Sequence, residues 1–141
     1  MTELQKVRVR ELLESALTPD APGEQPLSVL FYSRLFEVAP KTRALFHNGL
    51  CAQELKFTQM LEALCEGLDR LDNLVPILWQ SGRNHKLYGA ERAHYVVVGE
   101  VLFWALEQKQ APVPRTEETR EAWQAFYSLI SLIMQEASQA A

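Results

Sequence analysis

The chain has little of what most hydrolytic, metal-cluster or secreted proteins are built from. It holds two cysteines, Cys51 and Cys65. They stand at no metal-ligand spacing, and two thiols alone do not make a secreted disulfide framework. The expectation is one surface or loop thiol and one core thiol in a reducing cytoplasm. Histidine is scarce too, with only His47, His85 and His94. No HxxxH, HExxH or CxxC occurs, which argues against a clustered zinc site. The six glycines are never nested after a strand, so GLDRLDNL and SGRNHKLYG are not phosphate loops. No GxSxG nucleophile elbow is present. Basic residues are not in surplus: 14 Lys and Arg stand against 18 Asp and Glu, for a net charge of -4. No chain-wide basic field draws the protein to nucleic acid or anionic lipid. No apolar run is long enough to span a bilayer, and MTELQKVRVRELLESAL is too charged for a signal-peptide core.

Strand patterning and repeats of 20–50 residues are also missing. What is present is helical periodicity. Thr2 and Gln5 predict a capping box for a first helix to about Leu17, with Val9, Leu12, Leu13, Ala16 and Leu17 on one face. Three prolines in TPDAPGEQP break it. A second helix carries LSVLFYSRLF, and Pro40 opens a short third one, KTRALF. HNGLCA reads as a brief connection. From about Gln53 to Leu71, an apolar stripe of Phe57, Leu61, Leu64, Leu68 and Leu71 predicts one continuous helix. Another leads to His85 and is ended by Gly89. A long apolar helix covers 92–109, QAPVPRT breaks it, and a last helix starts near Thr116. Trp123, Phe126, Tyr127, Ile130 and Met134 form its inner face. The expectation is one all-α domain, residues 1–141, of about seven helices.

A single histidine on an inner helix face has two readings. It can cap a helix C-terminus, where a positive charge meets the negative dipole end. It can also be the axial ligand of a haem iron, which needs one imidazole and an apolar slot.

Three stretches carry a resemblance that bears on this choice: FYSRLFEVAPKTRALF, SGRNHKLYGAERAHYVVVGEVLFWALE and EAWQAFYSLISLIM. Their order and spacing resemble bacterial single-domain globins, flavohaemoglobin-type globin domains and neuroglobin-like globins. The resemblance covers about residues 4 to 136. It implies a globin fold around a haem pocket, with the short fourth helix missing. With no CxxCH for covalent attachment, the implied cofactor is haem b. His85 stands at the proximal position, the implied iron ligand through Nε2. Ser81, one turn earlier, is the implied acceptor for its Nδ1–H. Phe46 is implied to wedge against the porphyrin face. Gln53, thirty-two residues before His85, matches the distal position, where neuroglobin-like proteins carry a second iron-ligating histidine. A glutamine there donates a hydrogen bond to bound oxygen and leaves the sixth site open or water-bound. Phe57, one turn on, is implied to narrow the distal pocket. Tyr32 matches a distal tyrosine whose hydroxyl stabilises bound dioxygen.

Tyr95, in AHYVVVGE, matches a tyrosine that reaches toward the proximal histidine with a last-helix glutamate. Glu136 is the nearest such carboxylate here. It lies about two residues from the expected place, a rotation of roughly 200°. Lys56 and Arg83 are candidates to pair with haem propionates. His47 reads as a loop histidine near a haem edge, and His94 as a polar residue at a helix start.

The implied activity is reversible binding of dioxygen, with conversion of nitric oxide a second possibility. Turnover of nitric oxide would need a separate reductase, since the chain carries no flavin or NAD motif. The rival reading is a haem-free helical interaction module. A gas sensor would need an output domain, for which 141 residues leave no room.

Overall fold

The structure is a computed structural model, and it describes residues 1–46, 49–109 and 116–140. His47 and most of the QAPVPRT breaker lie outside the described residues. Six α-helices and one 3₁₀ helix make up the described fold: α1 Glu3–Leu17, α2 Leu27–Val38, the 3₁₀ helix Pro40–Leu45, α3 Leu50–Glu66, α4 Leu71–Leu87, α5 Arg92–Gln108 and α6 Glu117–Gln139. No strand occurs among the described residues. No described helix is long and apolar enough to cross a membrane.

Each helix starts or stops at an identifiable residue. The Thr2 hydroxyl accepts from the Gln5 N–H at 3.0 Å, and the Gln5 side chain accepts from the Thr2 N–H at 3.0 Å, so the capping box satisfies two orphan donors. Pro40 sits in the first turn of the 3₁₀ helix, where a missing N–H costs nothing. Gly89, at φ +91°, ends α4 in the left-handed conformation that other residues avoid. There the Ala90 N–H donates back to the His85 carbonyl at 2.9 Å. The Thr116 hydroxyl caps α6 by accepting from the Thr119 N–H at 3.1 Å.

Two boundaries differ from the sequence reading. The helix predicted over 53–71 begins three residues earlier, at Leu50, behind Gly49 at φ +89°. It stops at Glu66 with Gly67 as its cap, and Leu71 belongs to the next helix. Leu68 keeps the apolar spacing while lying in the turn, fully buried. A burial pattern therefore continues where the hydrogen-bond ladder does not.

The core runs through Leu12, Leu13, Leu35, Leu68, Leu106 and Phe126, all essentially inaccessible. α4 packs chiefly on α6, α1 also crosses α6, and α2 packs on α5. At the α4–α6 crossing the two backbones meet, since a Cβ on Gly82 would lie 2.7 Å from the Met134 Cα. By contrast, α3 and α4 make few direct contacts although consecutive in sequence. The space between them is the site.

Away from it, the Lys109 ammonium is nearly buried and pairs with Asp20, Glu24 and the Gln25 carbonyl. This ties the proline-rich loop to the end of α5. Burial works to lower the lysine's pKa, but the two carboxylates outweigh it and hold it above its usual value.

Candidate functional site

A cavity of about 550 Å³ opens between α2, the 3₁₀ helix and α3 on one side and α4, α5 and α6 on the other. Its size falls in the roughly 300–1,000 Å³ range of cofactor sites. The walls are largely apolar, with Phe31, Leu64, Leu78, Val98, Leu102 and Ile130 among them. A few polar groups converge on this lining.

His85 reaches it from the last turn of α4. Its Nδ1–H donates to the Ser81 carbonyl at 2.7 Å. The Ser81 hydroxyl lies 3.4 Å from the same nitrogen, so the backbone oxygen is the principal acceptor. This assigns the proton to Nδ1 and leaves the Nε2 lone pair for a ligand. Burial holds the imidazole below its usual pKa, and the Ser81 carbonyl only partly opposes that. A neutral imidazole is the form that ligates a metal.

Tyr32, on α2, is almost wholly buried in the cavity wall. Burial pushes its hydroxyl up to about 12, with Gln53 beside it pulling partly back and the Glu54 charge adding to the rise. Tyr32 therefore stays a neutral hydrogen-bond donor across the physiological range. Gln53 and Phe57 line the cavity one turn apart on α3. Phe57 stacks on Phe31 with centroids 4.6 Å apart, and Phe46 meets Tyr32 edge-on at 5.3 Å. These rings hold the tyrosine in one orientation.

Tyr95, on α5, lines the His85 side, with the two rings 6.3 Å apart. Its hydroxyl is buried and has no hydrogen-bond partner among the described residues. Glu136 does not supply one: it is exposed and lines a separate groove between α5 and α6. The proximal carboxylate implied by the resemblance is therefore not in place. The Trp123 Nε1 is likewise buried and unpartnered.

Lys56 stands exposed at the cavity edge. Arg83 does not join it. It is exposed and absent from the lining, because two residues turn a helix by about 200° and point it away from His85. His94 does touch the cavity, while its Nδ1 accepts the Glu91 N–H at 2.8 Å and caps α5.

The sequence reading leaves several lining residues unassigned, Met60, Ile77, Val98 and Leu102 among them. Their only signal is apolar helical spacing, which does not separate a cavity wall from a closed core. No group of three or more His, Cys, Asp or Glu among the described residues could hold a metal ion. The arrangement suits instead a flat, mostly apolar cofactor whose metal takes one imidazole. Tyr32 and Gln53 are polar groups in the part of this lining formed by α2 and α3.

Comparison with known proteins agrees with this geometry. The Globin family model matches residues 29–134. The flavohemoprotein of Bacillus subtilis (strain 168) is 23% identical over 124 residues, covering 86% of this chain but only 31% of that protein. The neuroglobin of Danio rerio is 26% identical over 144 residues, covering 92% of this chain and 87% of the relative. Among solved structures, an engineered carbene transferase from Rhodothermus marinus aligns over 99% of this chain and 94% of its own, with TM-score 0.79 and 24% identity. A bacterial globin from Campylobacter jejuni aligns over 98% and 96%, with TM-score 0.78 and 18% identity.

Proposed function

Since this chain belongs to the globin family, we propose that the cavity holds one haem b on His85 and that the protein binds dioxygen reversibly. The observation that carries the reading is the fixed His85 ring. Its Nδ1–H is committed to the Ser81 carbonyl at 2.7 Å, which leaves Nε2 for iron in an apolar cavity. Ferrous haem supplies the site at which a diatomic gas binds. The residues do the rest. Tyr32 and Gln53 donate hydrogen bonds to a polar diatomic ligand, which favours dioxygen over carbon monoxide. Phe57 and Phe46 restrict the space around it. Lys56 meets a propionate at the edge. Glutamine ligates iron poorly, so the sixth position stays open or holds water.

Two features support a further use of the same site. The flavohemoprotein relative matches 86% of this chain, and donors that hold dioxygen in the cavity keep it bound for a second reactant. Dioxygen, nitric oxide and one electron together make nitrate. The electron must come from a reductase.

The test is the visible spectrum of the protein purified with haem, in ferric, ferrous and oxygen-exposed forms. The expected result is a strong Soret band, a ferrous form without sharp low-spin bands, a stable oxygen adduct, and loss of haem in His85→Ala. Sharp low-spin ferrous bands would overturn the role given to Gln53. No haem uptake would overturn the reading and leave a helical interaction module.

A further inference from the structure

We propose that Glu54 is a specificity-determining residue of this site: anchored to Ser28 just outside the cavity lining, its carboxylate favours neutral ligands over anionic ones. The inference rests on the haem reading above, and it concerns which small molecules the site retains.

Two pairs of neighbours meet where α2 packs on α3. Ser28 and Tyr32 lie one turn apart on α2, and both are buried. Gln53 and Glu54 are adjacent on α3. Gln53 lines the cavity with Tyr32, and Glu54 does not, because one residue turns a helix by about 100°. That turn carries Glu54 toward α2, where its half-buried carboxylate accepts from the Ser28 hydroxyl at 3.3 Å. The Phe31 and Phe57 rings, stacked 4.6 Å apart, join the same two helices.

No cation neutralises this carboxylate, since Glu54 forms no ion pair among the described residues. The described lining contains no carboxylate and no arginine, and its basic side chains are Lys56, His85 and His94. Lys56 is exposed at the edge, and His85 is neutral in the haem reading. The Glu54 charge reaches further in. Among the described residues it is the one charged group that acts on the Tyr32 hydroxyl, where it opposes the ionised form. A ligand held by Tyr32 stands beside that hydroxyl and meets the same field. An anion there is repelled, and a neutral diatomic gas is not. Partial exposure of the carboxylate lets solvent and salt screen it in part, which keeps the effect to several-fold.

The probes are azide, an anion at neutral pH, on the ferric haem-loaded protein and carbon monoxide, a neutral gas, on the ferrous form. Glu54→Gln removes the charge and keeps an oxygen for Ser28. It should raise azide affinity about threefold or more and change carbon monoxide affinity less than about twofold. Glu62→Gln makes the same charge change at an exposed position further along α3, and should change both affinities less than about twofold. A purely structural disturbance would move the two ligands together. A second measurement needs no haem: the urea midpoints of Ser28→Ala, Glu54→Ala and the double variant should be non-additive, since the two side chains share one bond. Azide affinity that is unchanged in Glu54→Gln, that rises equally in Glu62→Gln, or that moves in step with carbon monoxide would overturn the specificity role while leaving the haem reading intact. Additive midpoints would overturn the anchoring to Ser28. A protein that takes up no haem would overturn both readings.

Discussion

Gly82→Ala is the substitution that tests how α4 is held. A Cβ at this position would lie 2.7 Å from the Met134 Cα and 2.8 Å from its carbonyl carbon. These distances are about 0.8 Å short of the ~3.5 Å at which carbon atoms pack. The obstacle is backbone, so no rotamer change relieves it, and α4 must shift away from α6. Overpacking of this kind costs about 1–3 kcal/mol, and a backbone clash belongs at the upper end. Replacing glycine by alanine inside a helix returns about 1 kcal/mol. The net is a destabilisation of about 2 kcal/mol. At roughly 2 cal/mol/K of unfolding entropy per residue, that lowers the melting temperature by about 7 °C. The assay is thermal unfolding by circular dichroism, with haem retention followed in parallel because His85 lies one turn further on. Gly67→Ala is the control. The nearest atoms to its Cβ would belong to the Leu74 side chain, with Cγ at 2.6 Å, so the obstacle there is a buried side chain that must repack and not a second backbone. If Gly82→Ala melts at or above the wild-type temperature, the backbones do not approach this closely and the reasoning fails.

Other outcomes follow from the same structure. Tyr95→Phe removes a buried hydroxyl with no partner among the described residues and should leave urea stability unchanged or raise it by about 1 kcal/mol. Tyr127→Phe removes a bond to the Tyr95 carbonyl at 2.6 Å and should cost about 1 kcal/mol; a larger loss from Tyr95→Phe would reverse the assignment. Tyr32→Phe should speed dioxygen release about tenfold in stopped-flow measurements, the worth of one hydrogen bond of about 1.4 kcal/mol; unchanged release would take Tyr32 out of the ligand's reach. Lys109→Met should be less stable than wild type at neutral pH. Bonding to Lys109 holds the Glu24 carboxyl below its usual pKa, so that contribution is present above the unfolded carboxylate pKa and lost as pH falls through the lowered value. The raised Lys109 pKa gives the opposite limit, with stability lost as pH rises through it. Urea midpoints of the two proteins should therefore converge in acid, and a gap that persists there would refute the pairing.

The helices were readable where a residue acts on its own backbone. Thr2, Pro40, Gly89 and Thr116 each cap or stop a helix through chemistry local to a few positions. The break at Gly67 was not readable in this way, because Leu68 keeps the buried spacing through the turn. At the site, the resemblance supplied His85, Tyr32 and Gln53, which line one cavity. Arg83, a candidate for a propionate by its charge, is exposed outside that lining, where a turn of about 200° from His85 puts it. Lys109 had no signal at all. Its partners Asp20 and Glu24 lie more than 80 residues away along the chain.

One turn, SGRNH, concentrates both the legible and the illegible. Ser81 and His85 are four apart, so their pairing is a property of any helix through them. Gly82 between them reads from sequence as a weak point, costing about 1 kcal/mol of helix propensity. Its reason stands on another helix, where the Met134 backbone leaves no room for a side chain. That contact sets the distance of α4 from α6. Because α4 makes few contacts with α3, it also bears on how far His85 stands from Gln53 across the cavity. The ligand geometry at position 85 therefore depends on a residue that carries no chemistry, and measuring haem affinity in Gly82→Ala alongside its stability would separate the two effects. Lower stability with unchanged affinity would show that the ring is positioned within α4 alone. Loss of both together would show that the crossing sets the cavity.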